Sequence, residues 1–426
     1  MVEILIVADD LTGTLDAAAA FIGAGVEVRT SCEDGLGLNH IAPDVRVLAV
    51  NSNTRHVPAD VAREILFALA RQAADAGVAW FVKKTDSVLR GNVGAELEGA
   101  LAGFGAGAQG VLHFMPSFPG MDRVTENGIY FIDGVPLADT AFAQDPFEPV
   151  TESDVLDIIG EGTDLLAVSV QEGSKLPRGF KGIAVYDAAS DAELDVRMAC
   201  VREKPGTHLV AGCAAALAAL ARVLNVPQPR RQVAQSSAPT LCFCGSVNHV
   251  SVGQAARARE VGVPCKWLYP AQILDSSWAG GEDFARFADA LAASLVTSPL
   301  VVVDASTRST AQDLAAAGIG PDCDTRALIS GNLGTIIARS LEATGAENLL
   351  VMGGDILLSF LDCAQVRTLT LTAQLAPGVV VSELELYGRH VRVVSKSGGF
   401  GGPDMFLDVA HMLSGYEKPA EEKPAA

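Results

Sequence analysis

The amino-acid sequence predicts an α/β protein made of two doubly wound α/β domains. Short apolar runs alternate with helix-like segments along the chain, and polar residues follow directly after several of these runs. A stretch rich in Pro, Ser and Gln interrupts this alternation near the middle and predicts a linker. The predicted domains cover residues 1–228 and 240–415, the linker covers 229–239, and residues 416–426 form a tail that we predict to be disordered.

Composition and charge narrow the classes of function. The 426 residues are 49% hydrophobic with a mean hydropathy of +0.29, which allows a large core. A net charge of −20 argues against nucleic acid or an anionic membrane as partner. No apolar run reaches the ~18 residues of a membrane span, and the N-terminus lacks the pattern of a secretory leader. The eight cysteines have no zinc-site spacing, so we expect free thiols, no metal bound by side chains alone and a cytoplasmic protein.

The first candidate site lies in the opening stretch, residues 4–16. Its apolar run, Ile4–Ala8, is typical of a buried parallel strand, and Asp9 and Asp10 follow at the carboxyl end. Ligands of open α/β sheets bind beyond that end of the strands. Adjacent carboxylates repel each other, so we expect a cation, a hydroxyl donor or a helix N-terminus beside them. We interpret both as candidate catalytic residues; the alternative is that Asp10 only caps the following helix.

Two further strand ends place cations at the same predicted edge of the sheet. One strand precedes Arg55, and another precedes residues 83–92. This mixture suits a small polyhydroxy acid, because Arg and Lys bind a carboxylate while Asp and Asn bind hydroxyls. The alternative is a set of surface charges. We expect Arg90 to bind the substrate carboxylate with both arms of its guanidinium. The predicted substrate-binding residues are Asp10, Arg55, Lys84, Asp86, Ser87, Arg90, Gly91 and Asn92.

Three strand ends of the second domain carry turns rich in glycine and serine. Glycine lets backbone N–H groups approach phosphate oxygens, and the first turn opens a helix N-terminus, which favours anions. No P-loop motif occurs in the chain. Asp355 is a candidate catalytic residue near metal or phosphate, with a helix N-cap as the alternative. The predicted nucleotide-binding residues are Gly245, Ser246, Asn248, Gly353, Gly354, Asp355, Ile356, Lys396, Ser397, Gly398 and Gly399.

A dehydrogenase is disfavoured. Residues 105–110 match G-x-G-x-x-G, but they follow a predicted helix and precede a strand, which reverses the order that dinucleotide binding needs. The remaining expectations concern local structure. We predict an amphipathic helix over 59–76, hairpin turns at 127–128 and 133–134, and an alanine-rich helix over 208–224.

Nearly the whole chain resembles the four-carbon acid sugar kinases. Residues 8–16 resemble the family motif ADDLTGALD, and residues 84–92 resemble KxDSTLRGN. Residues 127–137 resemble NG…NGVPL, and residues 396–401 resemble KSGxFG. The resemblance implies an N-terminal domain that binds a sugar acid and a C-terminal domain that binds nucleotide. It also implies ATP-dependent phosphorylation of the terminal hydroxyl of threonate, erythronate or a 3-oxo-tetronate, in the cleft between the domains.

Two segments depart from that family pattern. The usual SGSCS is CGSVN at residues 244–248, and the usual GGDT is GGDI at residues 353–356, so each segment loses a hydroxyl. These departures motivate one alternative, a non-catalytic sensor of sugar acid and nucleotide. The expected small-molecule partners are a sugar acid and ATP, with Mg²⁺ accompanying the nucleotide. A homodimer is left open.

Overall fold

The computed structural model of the chain describes residues 2–33, 35–38, 41–144, 148–171, 173–228, 233–306, 309–320 and 323–416. The chain divides into two compact units, Met1–Pro229 and Arg230–Ala426. From residue 417 onward the predicted tail lies outside the described residues, as do residues 229–232 of the predicted linker.

The first unit alternates strands and helices. Its strands are β1 (Ile4–Ala8), β2 (Val26–Arg29), β3 (Val47–Asn51), β4 (Trp80–Lys84), β5 (Val111–Met115), β6 (Arg123–Glu126), β7 (Ile129–Ile132), β8 (Val135–Pro136), β9 (Ala167–Val170), β10 (Gly182–Tyr186) and β11 (His208–Gly212). Its α-helices are α1 (Leu11–Ala19), α2 (Ala59–Asp75), α3 (Val93–Phe104), α4 (Val155–Gly160), α5 (Asp191–Arg202) and α6 (Ala214–Val223).

The main sheet of this unit is parallel throughout its described strands, in the order β2-β3-β1-β4-β11-β5-β10-β9. After β1 the chain builds β2 and β3 on one side, and β4 then starts the other side. The strand order therefore reverses between β1 and β4, which is the position where such sheets bind ligands. All residues of β1, β3 and β4 are buried, as expected for strands covered on both faces.

The prediction of one helix over 208–224 was wrong in its first part. His208–Gly212 forms β11, which lies between β4 and β5, and only Ala214–Val223 is helical. A five-residue apolar run cannot be distinguished from a buried helical segment by periodicity alone. The alanine-rich segment that follows it made the whole region resemble a helix.

The predicted hairpin turns are confirmed. Asn127 and Gly128 both have positive φ and join β6 to β7, and Asp133 and Gly134 do the same between β7 and β8. Two successive positive-φ residues give the turn whose twist matches paired strands. These three strands form a small separate sheet inserted after β5.

The second unit contains β12 (Thr240–Cys244), β13 (Cys265–Trp267), β14 (Leu300–Asp304), β15 (Asn348–Met352), β16 (Thr368–Ala376), β17 (Val379–Leu386) and β18 (Arg389–Lys396). Its α-helices are α7 (His249–Glu260), α8 (Pro270–Ile273), α9 (Glu282–Thr297), α10 (Ala311–Ala316), α11 (Thr325–Thr344), α12 (Gly354–Cys363) and α13 (Met405–Ser414). Within the described residues, no helix is both long and apolar enough to cross a bilayer.

The sheet of the second unit is mixed. Strands β13, β14, β12, β15 and β18 are parallel neighbours in that order, whereas β17 and β16 extend the sheet from β18 as antiparallel strands. The parallel part agrees with the prediction, and the antiparallel pair was missed. Burial alternates along β16, so the period-two pattern of its sequence could have predicted this strand.

Candidate functional site

Two carboxylates at the end of β1 share one guanidinium from the end of β3. Arg55 Nε lies 2.6 Å from Asp9 Oδ2, and Arg55 Nη2 lies 3.0 Å from Asp10 Oδ1. The strands are direct neighbours, with Ala8 opposite Asn51, so sheet register brings these side chains together. Asp9 is 2% exposed. The adjacent carboxylates thus have the cation that we expected beside them.

Asp10 also caps helix α1. Its Oδ1 accepts the backbone N–H of Gly13 at 3.0 Å, and its Oδ2 accepts the Thr12 hydroxyl at 2.8 Å. The extended backbone of Asp10 is the usual N-cap conformation. The capping role that we considered as an alternative is therefore present, alongside the contact with Arg55.

Asp86 and Arg90 form a forked pair after β4. Arg90 Nε and Nη2 lie 2.8 and 3.1 Å from the two carboxylate oxygens of Asp86. Arg55 Nη2 is 3.7 Å from Asp86 as well. The guanidinium fork that we expected to bind a substrate carboxylate is therefore used within the protein. Leu89, between the two, is buried with φ near 61°, a strained conformation for a leucine.

A buried polar network lies behind Asp9. Lys83 Nζ is 3.0 Å from Glu96 Oε2 and 4.0 Å from Asp9 Oδ1, and Thr54 donates to the other oxygen of Glu96. Sequence reasoning missed this network, since Lys83 and Glu96 are far apart along the chain. The sequence feature that could have indicated this network is a glutamate among the apolar residues of α3.

The charges of this network shift the pKa values of its carboxyl groups. Burial alone raises the pKa of Asp9, but nearby Arg55, Lys83 and Lys84 lower it to about 2. Burial likewise opposes ionisation of Asp86, yet Arg90 and Arg55 hold its pKa well below its usual range. Burial raises the pKa of Glu96. Asp9 and Asp86 are therefore ionised at neutral pH and are weak bases.

Two predicted substrate-binding residues shape the loop that carries Arg55. Asn92 Nδ2 donates to the carbonyls of Thr54 and Val57, each at 2.8 Å. Gly91 has φ near 83°, and a Cβ there would lie 3.0 Å from Arg55 Cγ. Ser87 accepts a hydrogen bond from a residue outside the predicted set, Arg123.

Lys84 is buried close to these carboxylates but is not bonded to them. A Cβ at Gly13 would lie 2.5 Å from Lys84 Nζ and 2.3 Å from Asp10 Oδ1. Among the residues the structure describes, this ammonium makes no hydrogen bond, and no carboxylate lies within 4.0 Å of it. Asp9 Oδ1 and the Thr85 hydroxyl are also buried without a hydrogen bond. Unsatisfied polar groups at a strand end are suited to contact a polar ligand.

The three predicted turns of the second unit meet one another. A Cβ at Gly398, after β18, would lie 2.9 Å from Ser246 Oγ and 3.3 Å from Asn248 Cβ, after β12. A Cβ at Gly245 would lie 2.2 Å from Ile356 Cδ1, after β15. Asn248 accepts the N–H of Val250 and caps α7. Side chains of the neighbouring turns occupy the space that a Cβ would need, which is the reason for glycine at 245 and 398.

Lys396 lies beneath the last of these turns. It is fully buried, and its Nζ is within 3.0–3.2 Å of Ser251 Oγ and the carbonyls of Ser397 and Gly398. An ammonium has three donors, so these acceptors can use all of them. Burial lowers the pKa of Lys396 to about 8. This geometry fits a group that shapes the turn.

Helix α7 holds the rest of the same turn through a residue that the sequence analysis missed. Gln254 Nε2 lies 2.9–3.1 Å from the carbonyls of Phe400, Gly401 and Gly402. Ser251 Oγ donates to the carbonyl of Gly398 at 2.9 Å. The sequence feature that could have indicated this contact is a pair of polar residues three positions apart on α7. Both are buried in the structure.

Asp355 lies in the first turn of α12, and Gly353 occupies the N-cap position, so the N-cap interpretation of Asp355 was wrong. Its carboxylate is 2.9 Å from Arg326 Nη1 and is 37% exposed. The described part of the chain holds no group of three or more potential metal ligands. A single accessible carboxylate fits Mg²⁺, which binds through one or two carboxylates together with substrate phosphates.

Comparison with known families agrees with this division into two units. The profile of a sugar-binding N-terminal domain matches residues 4–220, and that of a nucleotide-binding C-terminal domain matches residues 241–406. The strand ends carrying Asp9, Arg55 and Asp86 fall in the first match. The three glycine-rich turns fall in the second.

Curated relatives match over nearly the whole chain. A D-threonate kinase of Bordetella bronchiseptica is 30% identical over 96% of both chains. A 3-oxo-tetronate kinase of Methylobacterium radiotolerans is 26% identical over 96% of this chain and 98% of the relative. A D-erythronate kinase of Heliobacterium modesticaldum is 23% identical over 95% of both.

Solved structures share the fold. A protein of Salmonella typhimurium superposes with a TM-score of 0.73 at 20% identity, over 96% of this chain and 99% of its own. A Haemophilus influenzae protein gives a TM-score of 0.67 at 19% identity, with the same coverage.

Proposed function

Because the chain belongs to the four-carbon acid sugar kinase family, we propose that it transfers the terminal phosphoryl group of ATP to the terminal hydroxyl of a four-carbon sugar acid. The substrate is a threonate, an erythronate or a 3-oxo-tetronate, the acids on which the named relatives act. The observation that carries the proposal is the ionic cluster at the switch between β1 and β4. It combines carboxylates for hydroxyl groups with a buried ammonium for an acid.

Asp9 and Asp10 orient the acceptor hydroxyl in this proposal. Asp9 Oδ1 is buried without a hydrogen bond, so a substrate hydroxyl can donate to it. Phosphoryl transfer depends mostly on positioning and on neutralising charge, and its transition state needs little help from a strong base. An ionised carboxylate with a pKa of about 2 can therefore align the hydroxyl and accept its proton late.

The glycine-rich turns of the second unit bind the phosphates of ATP in this proposal. Gly245 and Gly398 allow the turns to approach each other closely, and Lys396 and Gln254 hold the last turn from below. Asp355 is the residue we assign to Mg²⁺, which would neutralise phosphate charge when it is bound with the nucleotide.

A non-catalytic sensor is the second candidate, and Ile356 is the observation that favours it. Its side chain is 7% exposed and packs against Gly245, where the family pattern has a threonine hydroxyl. The lost hydroxyl removes one group that could contact phosphate or metal. A sensor would bind the acid, the nucleotide or both, and would release no ADP.

Initial-rate measurements of ADP release distinguish these candidates. Purified protein with ATP and Mg²⁺ is supplied in turn with D- and L-threonate, D- and L-erythronate and the 3-oxo-tetronates, with a no-acid control. We expect ADP only when one of these acids is present, together with a phosphorylated acid detected by mass spectrometry. Binding of an acid by calorimetry without ADP release would contradict the kinase and support the sensor.

A further inference from the structure

Arg123 is a buried guanidinium that forms no ion pair with any residue that the structure describes. It lies at the start of β6, in the hairpin insert, and is 7% exposed. Its Nη1 donates to Ser87 Oγ, and its charge lies 5.8 Å from the centre of the Phe142 ring. Its Nε has no hydrogen bond, and no ion pair involves it within the described ranges of the chain. A buried charge of this kind is costly unless something pairs with it.

Lys84 is a second buried cation, with no ion pair to any of the described residues, and the sheet brings it near Arg123. Lys84 lies opposite Gly212 in the β4–β11 register, and the next residue, Cys213, donates to the carbonyl of Ser117 at 3.1 Å. The Ser117 hydroxyl bonds to Thr125 at 2.9 Å, two residues beyond Arg123 on β6. Positive charge from both Lys84 and Arg123 opposes the effect of burial on the pKa of Cys213. Both cations therefore act on the same thiol.

The other cations of the first-unit cluster are already neutralised. Arg55 bonds to Asp9 and Asp10, and Arg90 holds Asp86 with both arms of its guanidinium. A substrate carboxylate that bound Arg55 or Arg90 would have to displace a carboxylate of the protein. Lys84 and Arg123 form no ion pair with a described residue, so an acid group can bind them without such a displacement.

We propose that Lys84 and Arg123 together bind the carboxylate of the sugar acid, so that Arg123 selects acids over neutral sugars. This inference rests on the proposed function, because it assigns one end of that substrate. With the carboxylate at Lys84 and Arg123, the hydroxyl groups of the acid face the carboxylates of the cluster. The Thr85 hydroxyl, between Lys84 and Asp86, has no hydrogen bond within the described part of the chain and is a third group able to donate to the same ligand.

The test compares Arg123→Met and Arg123→Lys with a control, Arg222→Met. Arg222 forms a forked pair with Asp195, and both side chains are 36% exposed. Calorimetry with the preferred acid alone measures binding without nucleotide. Initial rates give KM for the acid and for ATP separately, and the amide of the same acid is the neutral competitor substrate.

We expect Arg123→Met to weaken acid binding by about ten- to a hundredfold, the loss typical of a hydrogen bond to a charged group. KM for ATP should stay within about twofold of the wild-type value. The preference for the acid over its amide should fall by about the same factor as the affinity for the acid. Arg123→Lys should lose less affinity for the acid than Arg123→Met, and the control Arg222→Met should keep the wild-type affinity.

Unchanged acid affinity in folded Arg123→Met would overturn the inference. If KM for ATP rose in the same variant, Arg123 would belong to a phosphate site instead. A melting temperature that falls strongly in both Arg123 variants, with acid affinity intact in the folded fraction, would also make Arg123 structural. Measurements on the wild-type protein distinguish failure of this inference from failure of the proposed kinase activity. If the wild type binds the acid but releases no ADP, only the kinase activity is contradicted.

Discussion

Arg55 Nε lies 2.6 Å from Asp9 Oδ2, in a pair whose side chains are 10% and 2% exposed. The pair joins the ends of β1 and β3, next to the switch in strand order. It leaves Asp9 Oδ1 without a hydrogen bond while keeping the carboxylate ionised. The protein thus holds a fixed negative charge whose second oxygen is available to a ligand.

Replacing the two opening carboxylates separately tests which one acts on the substrate. Asp10→Asn keeps the helix cap, because Asn caps about as well as Asp, and it removes basicity and the charge that Asp10 contributes to its pair with Arg55, which keeps its bond to Asp9. We expect a fall in kcat of about a hundredfold or more, as for loss of a proton acceptor, with a melting temperature close to that of the wild type. Steady-state kinetics and differential scanning fluorimetry measure the two effects.

Asp9→Asn is expected to behave differently. Asp9 is almost fully buried against Arg55, so its neutralisation leaves a buried guanidinium less well paired. We expect a loss of about 3 kcal/mol in the free energy of unfolding as well as a lower kcat. Near-wild-type kinetics in both variants would exclude this stretch from the active site.

Arg90→Lys tests the forked pair with Asp86. Lysine keeps the charge but cannot donate two parallel hydrogen bonds, so Asp86 loses its fixed position. We expect KM for the acid to rise about tenfold and KM for ATP to stay unchanged. The matched control is Arg222→Lys, which loses the same kind of fork on Asp195. Equal KM values for the acid in Arg90→Lys and wild type would remove Arg90 from the site.

Gly398→Val tests the phosphate turn. The new side chain would push against Ser246 and Asn248, since even its Cβ would lie 2.9 Å from Ser246 Oγ. We expect the Kd for ATP to rise at least about tenfold while acid binding is retained. Gly402→Val is the control, because no atom lies within 4 Å of a Cβ at Gly402. Wild-type ATP affinity in folded Gly398→Val would exclude this turn from phosphate binding.

The burial of Lys396 predicts how stability changes in alkaline solution. Its pKa falls from 10.5 to about 8 on folding, so below pH 8 both states are protonated and the folded state carries the full cost of burying the charge. Between pH 8 and about 10.4 the unfolded state holds more protons at Lys396 than the folded state, so the contribution of this group to the free energy of unfolding rises with pH. The total gain from this group is about 3 kcal/mol.

Urea unfolding of wild type and Lys396→Met from pH 7 to 10.5 isolates this contribution. Methionine fills similar volume without charge, so the variant should lack the rise and its stability relative to wild type should be greatest at pH 7. The buried thiols of Cys242 and Cys244 act in the opposite direction, because burial raises the pKa of both, that of Cys244 to about 12, so above about pH 8.5 the unfolded chain loses these protons first. Both proteins contain these thiols, so the difference in stability between wild type and Lys396→Met reports the ammonium. If the free energies of unfolding of the two proteins changed in parallel with pH, burial would not lower the pKa of Lys396.

Much of the architecture could be predicted from the sequence because most of the parallel strands are short apolar runs that are fully buried. Asp9 follows β1 and Asp86 follows β4 at the predicted positions, so the residues of the site were identifiable before their contacts. The sequence analysis did not predict strand β11. It lies between β4 and β5 and fixes which side chains surround Lys84.

The pairing of charges could not be read from the sequence. Whether Arg90 binds a ligand or Asp86 depends on loop conformation, including the left-handed Leu89, which no local pattern indicates. Arg123 is 36 positions from Ser87, and Glu96 is 42 from Thr54. Such contacts are set by sheet order and by the hairpin insert, which a single sequence does not specify.

The two buried cations without bonded carboxylates bear on how long the protein survives in a cell. Burying two cations that form no ion pair with a described residue costs free energy, and an acid bound between them would reduce that cost. A ligand at a hundred times its Kd adds about 2.7 kcal/mol to the free energy of unfolding. Degradation of the opened chain falls by the same factor as the population of that state. We therefore expect the abundance of this protein to follow the supply of its sugar acid even where synthesis is constant.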